Sequence, residues 1–238
     1  MSPSLNVGYD CDAMAKQNEH GRMIAAAAKA ALAPLGCKRK GQSRLWVSDE
    51  RYWLISVEFQ PSAWSKGSYL NVRPQWLWLR MGANDSFPRP ADYIEFENAD
   101  QFKPLIENMA GIAAQTVLAF RARFRTLSDV NRYFAERITR NGWPVYRAAV
   151  TAGLLGEVEP ARQLFKRLEL FDTEGHEYWM ELKAESAKMM ALLDDPVRYW
   201  SAILDAIAAS RKQYGLPPDP QCLASITSVD ATSSRVEQ

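Results

Sequence analysis

Arg44 to Leu79 reads RLWVSDERYWLISVEFQPSAWSKGSYLNVRPQWLWL and holds five of the eight tryptophans of the chain. From Tyr52 onward, Trp53, Ile55, Val57 and Phe59 fall on one side while Tyr52, Leu54, Ser56, Glu58 and Gln60 fall on the other. That is the two-residue period of a half-buried strand. Arg44 to Ser48 and Ser68 to Leu77 read as its neighbours. Asp49-Glu50 is short enough for a tight hairpin, and Pro61 to Gly67 makes a longer connection, so an antiparallel meander is the economical topology.

A sheet with one apolar face needs helices to cover it. Upstream, a helical pattern begins near Asp12, with Met14, Ile24, Ala28, Ala31, Leu32 and Leu35 as its apolar stripe and Gly36 as its stop. Downstream, Arg80 to Asp92 carries Gly82, Asn84, Asp85, Pro88 and Pro90 and reads as an irregular loop. A further short strand is expected at Tyr93 to Phe96. Asp100 is placed to cap a long amphipathic helix whose apolar residues are Phe102, Leu105, Ile106, Met109, Ile112, Ala113, Val117, Phe120 and Phe124. The fold class that follows is α+β: an antiparallel sheet of about four strands covered by helices, then an all-α helical annex. The expected divisions are a flexible leader over 1–12, an α+β domain over 13–127, the annex over 128–214 and a disordered tail over 215–238.

The run Leu32-Ala33-Pro34-Leu35-Gly36-Cys37-Lys38-Arg39-Lys40-Gly41, then Trp46, then Ile55-Ser56-Val57-Glu58-Phe59-Gln60-Pro61-Ser62 and Tyr69-Leu70-Asn71-Val72, resembles the DUF4304 domain, a family of uncharacterised bacterial proteins. Cys37 stands where that family usually has an aromatic residue, and Arg73 where it usually has glycine. The resemblance covers roughly the first half of the chain. It implies a helix with an antiparallel sheet and carries no established activity or catalytic residues.

In the annex, Ser128-Asp129 reads as a cap for a helix over Val130 to Arg140, closed by Asn141-Gly142. Trp143 to Gly156 and Glu157 to Leu168 then look like the two halves of a tetratricopeptide-type helical hairpin, with Gly156 at the turn. Only one such unit is visible, which favours an annex over an independent repeat array. Glu174 to Leu193 and Pro196 to Tyr214 are two more helices, with Asp194-Asp195-Pro196 as cap and first-turn proline between them. Tyr178, Leu182, Ala187, Met189 and Leu193 mark the apolar face of the first. Tyr199, Trp200, Ile203, Leu204 and Ile207 mark that of the second.

Composition is that of an ordinary globular protein. Of 238 residues 47% are hydrophobic and 24% charged, and 29 Lys and Arg against 28 Asp and Glu leave a formal charge of +1. The total gives no general support to a polyanionic partner. Charge is blocky, however, with eight basic and three acidic residues from Cys37 to Arg80, and two basic and six acidic from Asp85 to Ala110. Cys11, Cys37 and Cys222 are widely spaced and unaccompanied by histidine, so neither a disulfide framework nor a zinc site is expected. A cytoplasmic, unexported chain with no membrane span, no metal and no cofactor is the reading that fits.

No phosphate loop, nucleophile elbow or zinc-protease motif occurs in the sequence. His20 and His176 read as solvated surface histidines. Three functional readings remain. The first is a non-catalytic protein-interaction or regulatory module acting through the annex, whose span Glu157 to Asp195 carries ten acidic and five basic residues. The second is a small-ligand site or enzyme on the polar side of the sheet, built from Tyr52, Glu58, Gln60, Tyr69, Asn71 and Arg73. The third, weaker, is nucleic-acid binding through the basic turn Lys38, Arg39, Lys40 and Arg44, with Trp46 and Trp64 for stacking and a second cluster of arginines between Arg121 and Arg140.

Overall fold

The computed structural model describes residues 11–79, 87–138, 142–173 and 175–223, and of residues 11–18 only the backbone. Contacts divide the chain into two compact units. One comprises Met1–Asp49, Leu54–Pro74 and Ser86–Ala119, and the other Glu50–Trp53, Gln75–Asp85 and Phe120–Gln238.

The first unit opens with α1 (Cys11–Leu32), extended by a single 3-10 turn, Ala33–Leu35. Gly36 ends it in the left-handed conformation at φ 78°, where a side chain would be strained, and its N–H donates to Ala33 O. The sheet follows as a five-stranded meander: β1 (Lys38–Arg39), β2 (Leu45–Asp49), β3 (Trp53–Gln60), β4 (Gly67–Trp76) and β5 (Ile94–Glu95), in that order. Each pairing is antiparallel, with Arg39 opposite Trp46, Trp46 opposite Val57, and Gly67 opposite Glu95. The expected meander is therefore observed, with β1 as an addition. Ile55, Val57 and Phe59 on β3, with Leu70 and Val72 on β4, are buried. Helix α2 (Ala99–Arg123) buries Phe102, Ile106, Met109, Ala113 and Val117, a stripe at helical spacing. Each large member contributes about 1.5–3 kcal/mol on burial. Leu105, expected on that stripe, points outward instead. The cap of α2 is Asn98, whose Oδ1 accepts from the Gln101 N–H at 2.9 Å, and Asp100 lies in the first turn.

The second unit begins in the β2–β3 hairpin. Its loop is Glu50 to Tyr52, with Arg51 at φ 73° and the Glu50 N–H bonded to Trp53 O at 3.0 Å. Around Trp76 an aromatic cluster forms: Phe134 lies at 4.7 Å, Phe124 at 5.5 Å and Tyr133 at 5.9 Å, with Trp53 edge-on to Phe124 at 5.6 Å. Helices α3 (Leu127–Ala135), α4 (Trp143–Leu154), α5 (Val158–Glu169), α6 (Glu177–Met190) and α7 (Pro196–Tyr214) complete the unit. α3 starts earlier than Ser128-Asp129 suggests, because Thr126 and Asp129 form a reciprocal capping box. Ten of the twelve residues of α4 are buried, so this helix is the centre of the unit. Gly153 lets α7 approach: a Cβ there would lie 2.5 Å from the Tyr199 hydroxyl, which itself donates to Val150 O at 3.2 Å.

The first nine residues of the expected loose tail are held in place. Gly215 caps α7 in the left-handed conformation, and Cys222 and Leu223 are buried. The rest of that tail, most of the leader, the loop before position 87 and the Asn141 stop lie outside the described residues.

Candidate functional site

On the outward side of the sheet, β4 alternates cleanly: Leu70, Val72, Pro74 and Trp76 are buried, and Tyr69, Asn71, Arg73 and Gln75 are half-buried. β3 contributes Glu58 and Gln60 to the same side. The Asn71 amide nitrogen donates to Gln60 Oε1 at 2.7 Å and to Glu58 Oε2 at 3.2 Å, and Arg73 Nη2 stands 3.8 Å from Glu58. Five of the six residues expected at a sheet site are thus brought together. Tyr52 is not with them. It belongs to the other unit, is buried, and stacks on Trp78 at 5.8 Å; burial, with the Asp129 carboxylate second, pushes its phenol up to about 12. The reason is that Leu54 and Ser56, on the expected polar side of β3, are themselves covered, so only the Glu58 end of that face opens.

Two residues of the cluster were not read from the sequence. Arg89 donates from Nε to Asn71 Oδ1 at 3.2 Å, reaches Gln60 Oε1 at 3.4 Å, and lies 4.1 Å over the Tyr69 ring. Tyr93 packs on Tyr69 at 4.6 Å and shares a 2.6 Å hydrogen bond with Ser65 Oγ. Nothing but the prolines either side of Arg89 hinted at an ordered return of the chain there. Chemically most of these polar groups engage one another, while Arg73 Nε and Gln75 Oε1 are buried without a hydrogen-bond partner. The carboxylate, the two amides and the guanidinium are each committed to a cross-strand partner, a network of the kind worth about 0.2–1 kcal/mol per pair.

The basic turn is split, with three of its four cations exposed and the fourth, Arg44, half-buried. Lys38 and Arg39 form β1, and Lys38 to Lys40 are all exposed. The Arg39 guanidinium is folded onto its own hairpin, donating to Ser43 O and Gln42 O, each at 2.7 Å. Arg44 turns inward to His20 Nε2 at 3.1 Å, and burial lowers its pKa. His20 is not a surface histidine: it is buried, and its ring packs 5.5 Å from Phe96. Trp46 is buried and unavailable for stacking, whereas Trp64 is 95% exposed.

In the second unit the decisive feature is α7. Its inner stripe, Tyr199, Ile203 and Ile207, is buried. The other residues expected on the same face, Trp200 and Leu204, belong to an outer stripe with Val197 and Ala208, spaced three and four residues apart. Val197 is 79% exposed. Two hollows meet at Leu204 along this stripe. One of about 480 Å³ is bounded by Val197 and Trp200, and one of about 740 Å³ by Ala208, Leu216 and Pro218. The far wall is fixed: Arg211 Nε donates to Pro217 O at 2.8 Å, and Arg51 holds Asp219 at 2.9 Å. A smaller cavity of about 330 Å³ in this unit is bounded by Trp78, Trp143, Tyr146, Glu185 and Gln213. α4 also buries Arg147, whose guanidinium is pulled down to about 10 by burial.

Among the described residues there is no group of three or more His, Cys, Asp or Glu side chains placed to hold a metal ion, and no helix long and apolar enough to cross a membrane. No family model matches the chain, and no curated protein or solved structure matches it.

Proposed function

We propose that the chain is a DUF4304-like α+β domain carrying a non-catalytic, helical protein-interaction annex, and that the annex receives an amphipathic helix of a partner protein along the outer face of α7. One observation carries this reading. α7 has a second apolar stripe, at Val197, Trp200, Leu204 and Ala208, in addition to the one that anchors it. A helix with one apolar face belongs to a surface, whereas one with two belongs between neighbours.

A helix is the occupant that fits. The stripe repeats every three or four residues and runs for about 16 Å at 1.5 Å per residue, the length of three helical turns. In arrays of stacked helical hairpins, the terminal helix presents the face on which the next helix would pack. Burial of apolar anchors at i, i+3 or i+4 and i+7 is the recognition mode such a groove supports. The surplus of acidic residues on the helices before α7 favours a partner bearing basic residues beside its apolar stripe, by steering the encounter.

The test uses Val197→Asp with Leu204→Asp, in residues that the core does not need. The partner is captured on the wild-type chain, identified and purified, and its binding is then measured directly. Binding lost in the double variant, with hydrogen-exchange protection on the wild type confined to 196–216, supports the reading. A partner bound equally well by the variant, or protecting the sheet instead, overturns it.

A further inference from the structure

Two guanidinium groups converge on one phenol ring in the second unit. Arg123, the last residue of α2, places its Cζ 4.7 Å from the Tyr133 ring centroid, and Arg137, just beyond α3, places its Cζ at 4.0 Å. Measured through the ring, the two charges are closer than the Debye length of about 10 Å in 0.1 M salt. Tyr133 is itself held by Trp76 and Phe124, so the pair rests on a rigid base. Arg125 lies between them in sequence and is exposed.

The neighbouring basic residues are already matched with acids. Arg121 is paired with Glu50 at 2.8 Å and Arg132 with Asp129 at 3.7 Å, and Asp129 is further committed to the cap of α3. Arg123 and Arg125 have no ion pair or hydrogen bond among the described residues, and Arg137 has Glu136 at 3.8 Å and the Tyr133 carbonyl at 3.3 Å. Helix dipoles account for part of the arrangement, because Arg123 and Arg137 both stand at helix C-termini. Each end supplies about half a negative charge. Together with Glu136 that offsets about two of the three cations of this segment, and a positive charge is left over, with the Arg123 and Arg137 forks preordered on the ring and Arg125 exposed two residues on from Arg123.

We infer that Arg123, Arg125 and Arg137 form a binding site for a phosphate group. A guanidinium presents a planar fork of donors that matches phosphate oxygens, and stacking on an aromatic ring fixes the fork without using those donors. The Tyr133 ring is buried beneath these groups and against Trp76 and Phe124, so the site reads the phosphate and leaves no platform for a base. This inference is independent of the α7 groove, since no residue is shared.

The full chain is titrated calorimetrically with pyrophosphate and, separately, with a single-stranded oligonucleotide, at 50 mM and 300 mM salt. The variants are Arg123→Gln with Arg125→Gln, which removes the Arg123 contacts with the Tyr133 and Phe124 rings but no hydrogen bond or ion pair, and Arg132→Gln as a control in an already paired arginine. Binding that falls at least tenfold in the double variant, weakens with salt and changes little in the control supports the site. Pyrophosphate binding identifies a small phosphate ligand. Binding of the oligonucleotide alone, with a log–log salt slope of about −2 for three contacts, identifies a nucleic-acid backbone. No binding of either probe at 50 mM salt, or binding that the double variant leaves unchanged, overturns the inference.

Discussion

The Arg51 guanidinium clasps the Asp219 carboxylate across 168 residues of chain, Nε to Oδ2 at 2.9 Å and Nη2 to Oδ1 at 3.2 Å. Arg51 also donates to Gln221 O at 2.6 Å, and its own carbonyl accepts from Arg211. A left-handed hairpin residue thus ties down the turn that follows the last helix. The hydrogen bond from Arg51, then its charge, holds the Asp219 carboxyl below its ordinary pKa. A depressed folded pKa contributes stability that is complete above the unfolded value and lost as pH falls through the folded one. Asp219→Asn is therefore expected to lower stability by about 0.2–1 kcal/mol at neutral pH, the range for a partly exposed pair. The difference should shrink below pH about 4, where an unfolded aspartate protonates. Denaturant melts of both proteins between pH 7 and pH 2 check this, and a difference that persists undiminished at pH 2 would refute it.

Alkaline stability is set by buried phenols. Burial pushes Tyr52 up to about 12 and raises Tyr146 and Tyr199 well above the ordinary phenol value. The folded state binds these protons more tightly than the unfolded chain, so their contribution is whole below pH about 10 and declines as pH rises beyond it. For Tyr52 alone the rise to about 12 corresponds to about 2–3 kcal/mol at full effect. Phenolate absorbance of these residues should appear together with unfolding. Ionisation near pH 10 with the near-ultraviolet circular dichroism intact would show the phenols to be accessible.

Close approach of α4 and α7 predicts intolerance at Gly153. A methyl there meets the Tyr199 ring and hydroxyl, and overpacking of this kind costs about 1–3 kcal/mol. Gly153→Ala should lower Tm, and it should cost less in a Tyr199→Leu background, because the ring carbon at 2.6 Å is met as closely as the hydroxyl at 2.5 Å and both are removed. Strict additivity of the two changes would mean that the helices shift apart instead.

At the start of α3, Thr126 Oγ1 accepts from the Asp129 N–H at 3.1 Å while Asp129 Oδ2 accepts from the Thr126 N–H at 3.0 Å. Thr126→Ala is expected to cost about 1 kcal/mol, and Thr126→Ser much less. Equilibrium unfolding of the three proteins distinguishes loss of the cap from loss of the methyl group.

How much of this was legible depended on whether the signal was local. The alternation of Trp53, Ile55, Val57 and Phe59 fixed the strand and its buried side, and Gly36, Gly156 and Asp195-Pro196 marked helix ends where they occur. Those residues act through their own backbone conformation, so the sequence suffices. β1 was hidden because two residues carry no period. Burial of His20 was hidden because it depends on Arg44 and Phe96, far away in sequence. The outward turn of Trp200 and Leu204 was hidden for a different reason. Tyr199-Trp200 and Ile203-Leu204 are adjacent apolar pairs, and each pair straddles the boundary of a helix face. Periodicity alone does not say which member faces the core; the packing of Tyr199 against Gly153 decides it. Among the sheet residues, parity placed Glu58, Gln60, Tyr69, Asn71 and Arg73 together. The same parity misplaced Tyr52, because a face can be covered at one end and open at the other.

Enclosure of α4 on nearly every side governs how the second unit can come apart. A helix with ten of twelve residues buried has no edge from which to fray, and it can leave only when α3, α5, α6 and α7 loosen with it. Proteases should therefore find no partly opened intermediate to cut within 143–154, only an intact helix or a fully melted unit. A chain shortened to end before α7 would lose its cover over Val150 and Gly153 and would be cleared or would aggregate, rather than persist as a smaller working protein.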